Sequence, residues 1–165
     1  MSPDEFLGSD FLKWLEVLAL AASPISELRG AIPWAIFKHH FPWYYALPLA
    51  IIGNLAPVPF LLLFFNTFSR LLSKIGVFEK MLHWLSKRIR RRGKIITRYQ
   101  RIGLALFVAI PLPVTGAWTG SLAAVLFGLK FKHAFLSIFI GIFIAGIIVT
   151  GVTLLGWTIF GFWKA

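Results

Sequence analysis

The sequence predicts an all-α integral membrane protein made of two broken, re-entrant helical hairpins and two full transmembrane spans. Three observations predict it. The 165 residues are 58% hydrophobic, with a mean hydropathy of +0.80, whereas soluble domains are nearer half apolar. Two apolar stretches, 43–72 and 135–162, have the length that a bilayer requires. Two others, 11–37 and 103–129, are each interrupted by proline, glycine and polar residues, so that neither has an uninterrupted arm long enough to cross. With a basic amphipathic segment at 73–101, these pieces make one membrane domain over 1–165.

Residues 1–10 carry Asp4, Glu5 and Asp10 and no base, the reverse of a basic leader. A short surface-lying lead is expected there rather than a cleaved signal peptide. Residues 11–22 give about 18 Å of helix, short of a hydrocarbon core of about 30 Å. The first break follows, with Pro24, Glu27, Arg29, Gly30 and Pro33 inside eleven residues, 23–33. Residues 31–37 return the chain to water at Lys38, His39 and His40. The span 43–72 opens on Trp43, Tyr44 and Tyr45, an interfacial aromatic belt. Its prolines, Pro48, Pro57 and Pro59, predict that it is not straight, and Asn54 and Asn66 are expected to face the protein interior.

In segment 73–101, Ile75, Phe78, Met81, Leu82 and Leu85 recur at helical spacing with bases on the other face. The second hairpin, 103–129, is broken at Pro111–Gly120 and keeps arms of eight and nine residues. The last span, 135–162, places Gly141, Gly146, Gly151 and Gly156 at five-residue steps, and small residues let membrane helices approach closely.

The net charge of +11 is not the footprint of a nucleic-acid binder. Eleven of the seventeen bases lie between Arg70 and Arg101, beside apolar segments, with Glu79 the one acid among them. Such a run is expected on the cytoplasmic side, where Arg88, Arg90, Arg91 and Arg92 would meet anionic lipid headgroups. Four full spans would put both termini in the cytoplasm and Lys130 and Lys132 outside. Two hairpins and two spans instead put the acidic N-terminus outside and thirteen of the seventeen bases inside, which the positive-inside rule favours. In that topology 11–72 and 103–162 enter from opposite sides, each as a broken segment, a basic exit and a span. That is the order of an inverted repeat, in which transporters place their sites at interrupted helices near the midplane.

The chain has no cysteine, so thiolate metal sites and cysteine nucleophiles are excluded. Its four histidines have no metal-binding spacing, and no phosphate loop, nucleophile–base pair or cofactor motif is present. Neither a metal, a cofactor nor an enzyme activity is expected. Glu27 and Arg29 are the leading candidates, because charges at membrane depth face a cavity or a partner. Glu27 suits a proton or cation. The planar guanidinium of Arg29 suits a phosphate or carboxylate. Lying two residues apart, they pair directly only if the backbone between them is not helical. Gly30, Pro33 and Asn54 complete the first wall. Pro111, Pro113, Thr115, Gly116, Trp118 and Thr119 form the uncharged second one, where glycines admit close backbone and threonines supply hydroxyls.

The blocks Ser26-Glu27-Leu28-Arg29-Gly30-Ala31-Ile32-Pro33 and Pro111 to Gly120 resemble those of the small multidrug export protein family, over nearly the whole chain. That resemblance implies efflux. More distantly, the architecture is similar to DedA/VTT membrane proteins. These have opposed re-entrant hairpins, and some are implicated in moving polyprenyl-phosphate carriers or scrambling lipids, often with proton coupling. Their acidic first hairpin is matched by Glu27. Where their second hairpin carries arginine this chain has Thr115, and Arg29 would supply the guanidinium from the first. The expected function is therefore a proton- or cation-coupled transporter, with its site between the hairpin tips. Its substrate would be an amphipathic small molecule or a lipid-linked one. The other reading is a membrane scaffold that binds anionic lipid or a partner through its basic segment. A bundle this small also leads us to expect a homodimer.

Overall fold

The computed structural model describes residues 3–72, 93–112 and 115–162, with side chains for 11–65, 99–112 and 115–156. Among the described residues every regular element is a helix. In chain order they are α1 (Pro3–Ala22), α2 (Glu27–Phe37), α3 (Trp43–Leu55), α4 (Val58–Leu72), α5 (Gly93–Ala109), α6 (Ala117–Leu126) and α7 (Phe131–Phe162). Among the described residues two stretches are long and apolar enough to cross a bilayer, Trp43–Phe65 and Phe131–Gly156. The helices gather into two compact units, residues 1–56 with 143–165, and residues 57–142. Residues 73–92, including Ile75, Phe78, Met81, Leu82, Leu85 and the Arg88, Arg90, Arg91 and Arg92 cluster, lie outside the described residues.

In the first unit α1, α2 and α3 pack against one another. Helix α1 begins at Pro3, eight residues before the arm expected from hydropathy. A proline is tolerated in the first turn because its missing N–H would have no helical partner there. The helix ends at Ala22, ahead of Pro24, which has no N–H to continue the ladder; the Ser23 N–H still reaches the carbonyls of Ala19 and Leu20. After the four residues 23–26 the chain is helical again and packs along α1. Helix α3 then follows α2 in the opposite sense. Gly53 is what admits it: a Cβ there would lie 2.7 Å from the Ala21 Cβ and 2.8 Å from the Leu18 carbonyl oxygen. Val17, Ala21, Ala31, Ile32, Ala35, Ala46 and Ala50 fill the core of this unit, and the many alanines are why three helices fit so closely.

The span that opens at Trp43 is interrupted at Ala56–Pro57, where α3 gives way to α4. Pro57 and Pro59 remove two ladder donors there. In the second unit α6 packs on both α4 and α5. Helix α5 runs unbroken from Gly93, so the end of the expected amphipathic segment is continuous with the first arm of the second hairpin. No proline intervenes, and Gly103 alone does not break a helix. Helix α6 ends in a Schellman cap. Gly128 takes φ +66°, its N–H bonds the Val125 carbonyl and the Leu129 N–H bonds Ala124. Of the glycine series on α7, Gly141 presses on Val108 and the Ala105 carbonyl, and Gly146 presses on Leu47. Gly151 and Gly156 face open space.

Candidate functional site

The turn between α1 and α2 is held by its own serine. Ser26 Oγ donates to the Leu20 carbonyl at 2.9 Å, tying the end of one arm to the start of the other. Gly30 makes room for it, since a Cβ there would lie 2.8 Å from that hydroxyl oxygen. Glu27, the first residue of α2, has φ +48°, a left-handed conformation uncommon for a long side chain. It is also buried, at 5% exposure, as is Asn54 at 2%.

That backbone resolves the spacing of the two charges. On a regular helix residues two apart point to different faces. With Glu27 left-handed, Arg29 Nη2 reaches Glu27 Oε2 at 3.1 Å. The carboxylate side chain is 6% exposed and the guanidinium side chain 25%, so the negative end is the more deeply placed. Pro33, inside α2, has no N–H to offer the Arg29 carbonyl one turn earlier. Asn54 follows Gly53, which is seated on the last turn of α1, so it lies at the depth of this tip. Its Oδ1 has no hydrogen-bond partner. The first unit therefore pairs Glu27 with Arg29 beside Gly30 at the start of α2, and holds Asn54 near the end of α3.

The residues expected on the other wall belong to the second unit. Thr115 is engaged within its own loop. Its hydroxyl donates to the Ile110 carbonyl and accepts from the Leu112 N–H at 3.1 Å. Gly116 is buried with an extended backbone, Pro111, Trp118 and Thr119 are half-buried, and Pro113 lies outside the described residues. Gly120 is a close-packing position, where a Cβ would lie 2.5 Å from Val108.

Sequence reasoning missed a second polar cluster, at the mouth of the first hairpin. One oxygen of Glu16 accepts from Trp34 Nε1 and Lys38 Nζ, each at 3.0 Å. The other lies 3.0 Å from His39 Nε2. Lys38 also sits 4.2 Å from the Trp34 ring centroid, a cation–π contact. The Lys38 hydrogen bond is the main cause that holds the Glu16 carboxyl below the usual carboxylate range, against a smaller upward push from desolvation. Its partners are eighteen to twenty-three residues away, so no local spacing announces it. Beside it, Trp14, Phe41, Tyr45 and Ile52 help line an apolar cleft of about 360 Å³.

Helices of bilayer length, beside a short hairpin with a half-buried ion pair at its tip, define a small helical membrane protein. The sequence profile of the family described as "putative small multi-drug export protein" matches residues 27–148. The chain belongs to that family, whose name denotes transport rather than catalysis. No curated protein and no solved structure matches the chain.

Proposed function

We propose that this protein is an ion-coupled exporter of amphipathic small molecules, with Glu27 as the coupling carboxylate. The observation that carries the reading is the Glu27–Arg29 pair, its carboxylate buried at the tip of a hairpin and held by a left-handed glutamate. Sequestering a charge at membrane depth is costly, and strained backbone of this kind collects at working sites. A carboxylate paired with a guanidinium can exchange that partner for a proton or a cation. The aromatic cleft beside Glu16 offers an apolar amphiphile a surface of the size small-molecule sites have.

Two features support an inverted-repeat reading. Each compact unit contains one helix–break–helix and takes one part of each long apolar stretch: α3 and α7 from residue 143 in one, α4 and α7 to residue 142 in the other. Each hairpin is pinned at its break by a side-chain hydroxyl, Ser26 in one and Thr115 in the other. In this reading both hairpins are re-entrant and the basic segment is cytoplasmic. The test is proton movement in proteoliposomes given cationic amphiphiles or a polyprenyl phosphate. Substrate-dependent flux that Glu27→Gln abolishes is expected. Folded protein that moves neither a proton nor an inorganic cation with any of these compounds would discard the reading in favour of a scaffold acting through its basic segment.

A further inference from the structure

We propose that Asn54 is the second hydrogen-bonding station of Glu27: when Glu27 takes up a proton and releases Arg29, its carboxyl O–H donates to the Asn54 side-chain oxygen. The inference rests on the ion-coupled reading above and takes the coupling ion to be a proton. It adds where that proton is held.

Among the described residues three buried side-chain atoms lack a hydrogen-bond partner, Asn54 Oδ1, Arg101 Nε and Thr150 Oγ1. Native structures rarely leave such an atom without a use. Asn54 is the one at the depth of the hairpin tip. Two lines place it there. Gly53 is packed on Leu18 and Ala21 in the last turn of α1. Independently, α2 and α3 leave the same short connection and pack against each other. Glu27 stands ten residues from the mouth end of α2 and Asn54 eleven from that of α3. At about 1.5 Å per residue both lie roughly 15–17 Å from the mouth.

The chemistry of the two groups is complementary in one protonation state only. An ionised carboxylate accepts hydrogen bonds and has none to give. It can do nothing for an amide oxygen, and it is instead paired with Arg29 at 3.1 Å. A protonated carboxyl has one O–H to donate and no longer needs the guanidinium. Leaving Arg29 would also let Glu27 relax from φ +48°. The unpartnered oxygen and the strained backbone thus belong to the same state and are relieved together, as a two-state switch requires.

The surrounding titratable groups do not substitute for either partner. On α1, Lys13 and Glu16 stand nearer the mouth, where Glu16 is engaged by Lys38 and His39 from the end of α2. Helix α3 offers only Tyr44 and Tyr45, in its first turn, and α7 offers no titratable group between residues 143 and 156.

Infrared difference spectroscopy of the reconstituted protein across a pH titration tests the proposal. A protonated-carboxyl band lost in Glu27→Gln identifies Glu27. In Asn54→Leu that band should move to the frequency of a carboxyl whose O–H has no acceptor. Its midpoint should also shift to lower pH by about one unit, a tenfold weaker hold on the proton. Asn54→Gln, which keeps the amide, should hold the band near its original position. A carboxyl band that Asn54→Leu leaves unmoved overturns the inference while the coupled reading stands. Absence of any Glu27 carboxyl band overturns the inference and removes the proton as the coupling ion, leaving the ion-coupled reading to be decided by flux. Should Asn54→Leu fail to assemble, carbonyl-labelled asparagine in otherwise intact protein replaces it. The chain has two asparagines, so Asn66→Gln leaves one label. Its amide band must shift as Glu27 protonates, and a band that stays fixed rejects the proposal.

Discussion

Arg29 neutralises a carboxylate that has little access to water, so the two residues should not be equally expendable. Removing Arg29 deprives a 6% exposed carboxylate of its guanidinium. Breaking a fully buried pair costs about 3–5 kcal/mol. Arg29 keeps a quarter of its exposure, and we expect Arg29→Gln to cost about 2 kcal/mol after that discount. Glu27→Gln/Arg29→Gln should recover most of the loss, because no charge is then stranded. Thermal unfolding in detergent measures both, and a double variant as unstable as Arg29→Gln alone would contradict the argument. The residues themselves were legible in the sequence, as charges inside an apolar stretch. Their direct contact was not, because it depends on a left-handed backbone at Glu27 that no propensity assigns to glutamate.

At the scale of the helix, glycines of identical composition carry opposite expectations. Gly53 faces the backbone of α1, with the Leu18 carbonyl oxygen 2.8 Å from the point where an alanine methyl would stand. Backbone cannot step aside, so Gly53→Ala should force α3 off α1 and cost about 1–3 kcal/mol. Gly103 on α5 has nothing within 4 Å, and Gly103→Ala should be neutral or stabilise by up to about 1 kcal/mol through helix propensity alone. Gly53→Ala must therefore melt below the wild type and Gly103→Ala must not, or the packing argument fails.

The Glu16 cluster closes the other end of the same hairpin, and its effect depends on pH. A carboxyl whose folded-state pKa is depressed contributes stability that is complete above its unfolded-state value. That contribution disappears as pH falls through the lower, folded-state one. With Glu16 held down chiefly by Lys38, the hairpin should loosen only on the acid side of the usual carboxylate range. Glu16→Gln should flatten that acid limb of the stability profile. An unchanged limb would assign it to other carboxylates.

At the scale of the whole molecule the two topologies place the segments differently, and a chain without cysteine is suited to single-cysteine labelling. A single Lys130→Cys discriminates between topologies. With re-entrant hairpins it lies on the cytoplasmic side, and a membrane-impermeant maleimide should label it only after permeabilisation. With four full spans it should label from outside in intact cells. A cysteine at Lys87, cytoplasmic in either topology, is the control for membrane integrity.

The sequence by itself determined the membrane class, the two apolar stretches of bilayer length, both breaks, and the residues at the first break. Each of these follows from local quantities, the run length of apolar side chains and the absence of an N–H on proline. It also named Asn54 as an interior polar group. Tertiary structure alone decided that Asn54 shares the depth of Glu27, and that Thr115 belongs to its own loop. It decided as well that Glu16 gathers Trp34, Lys38 and His39 at the mouth, and which glycines are pressed against a neighbour. Those facts depend on which helix face meets which. In a chain whose helices are apolar nearly all round, periodicity carries little of that information. Close contact at Gly53 and the backbone conformation of Glu27 supply it instead.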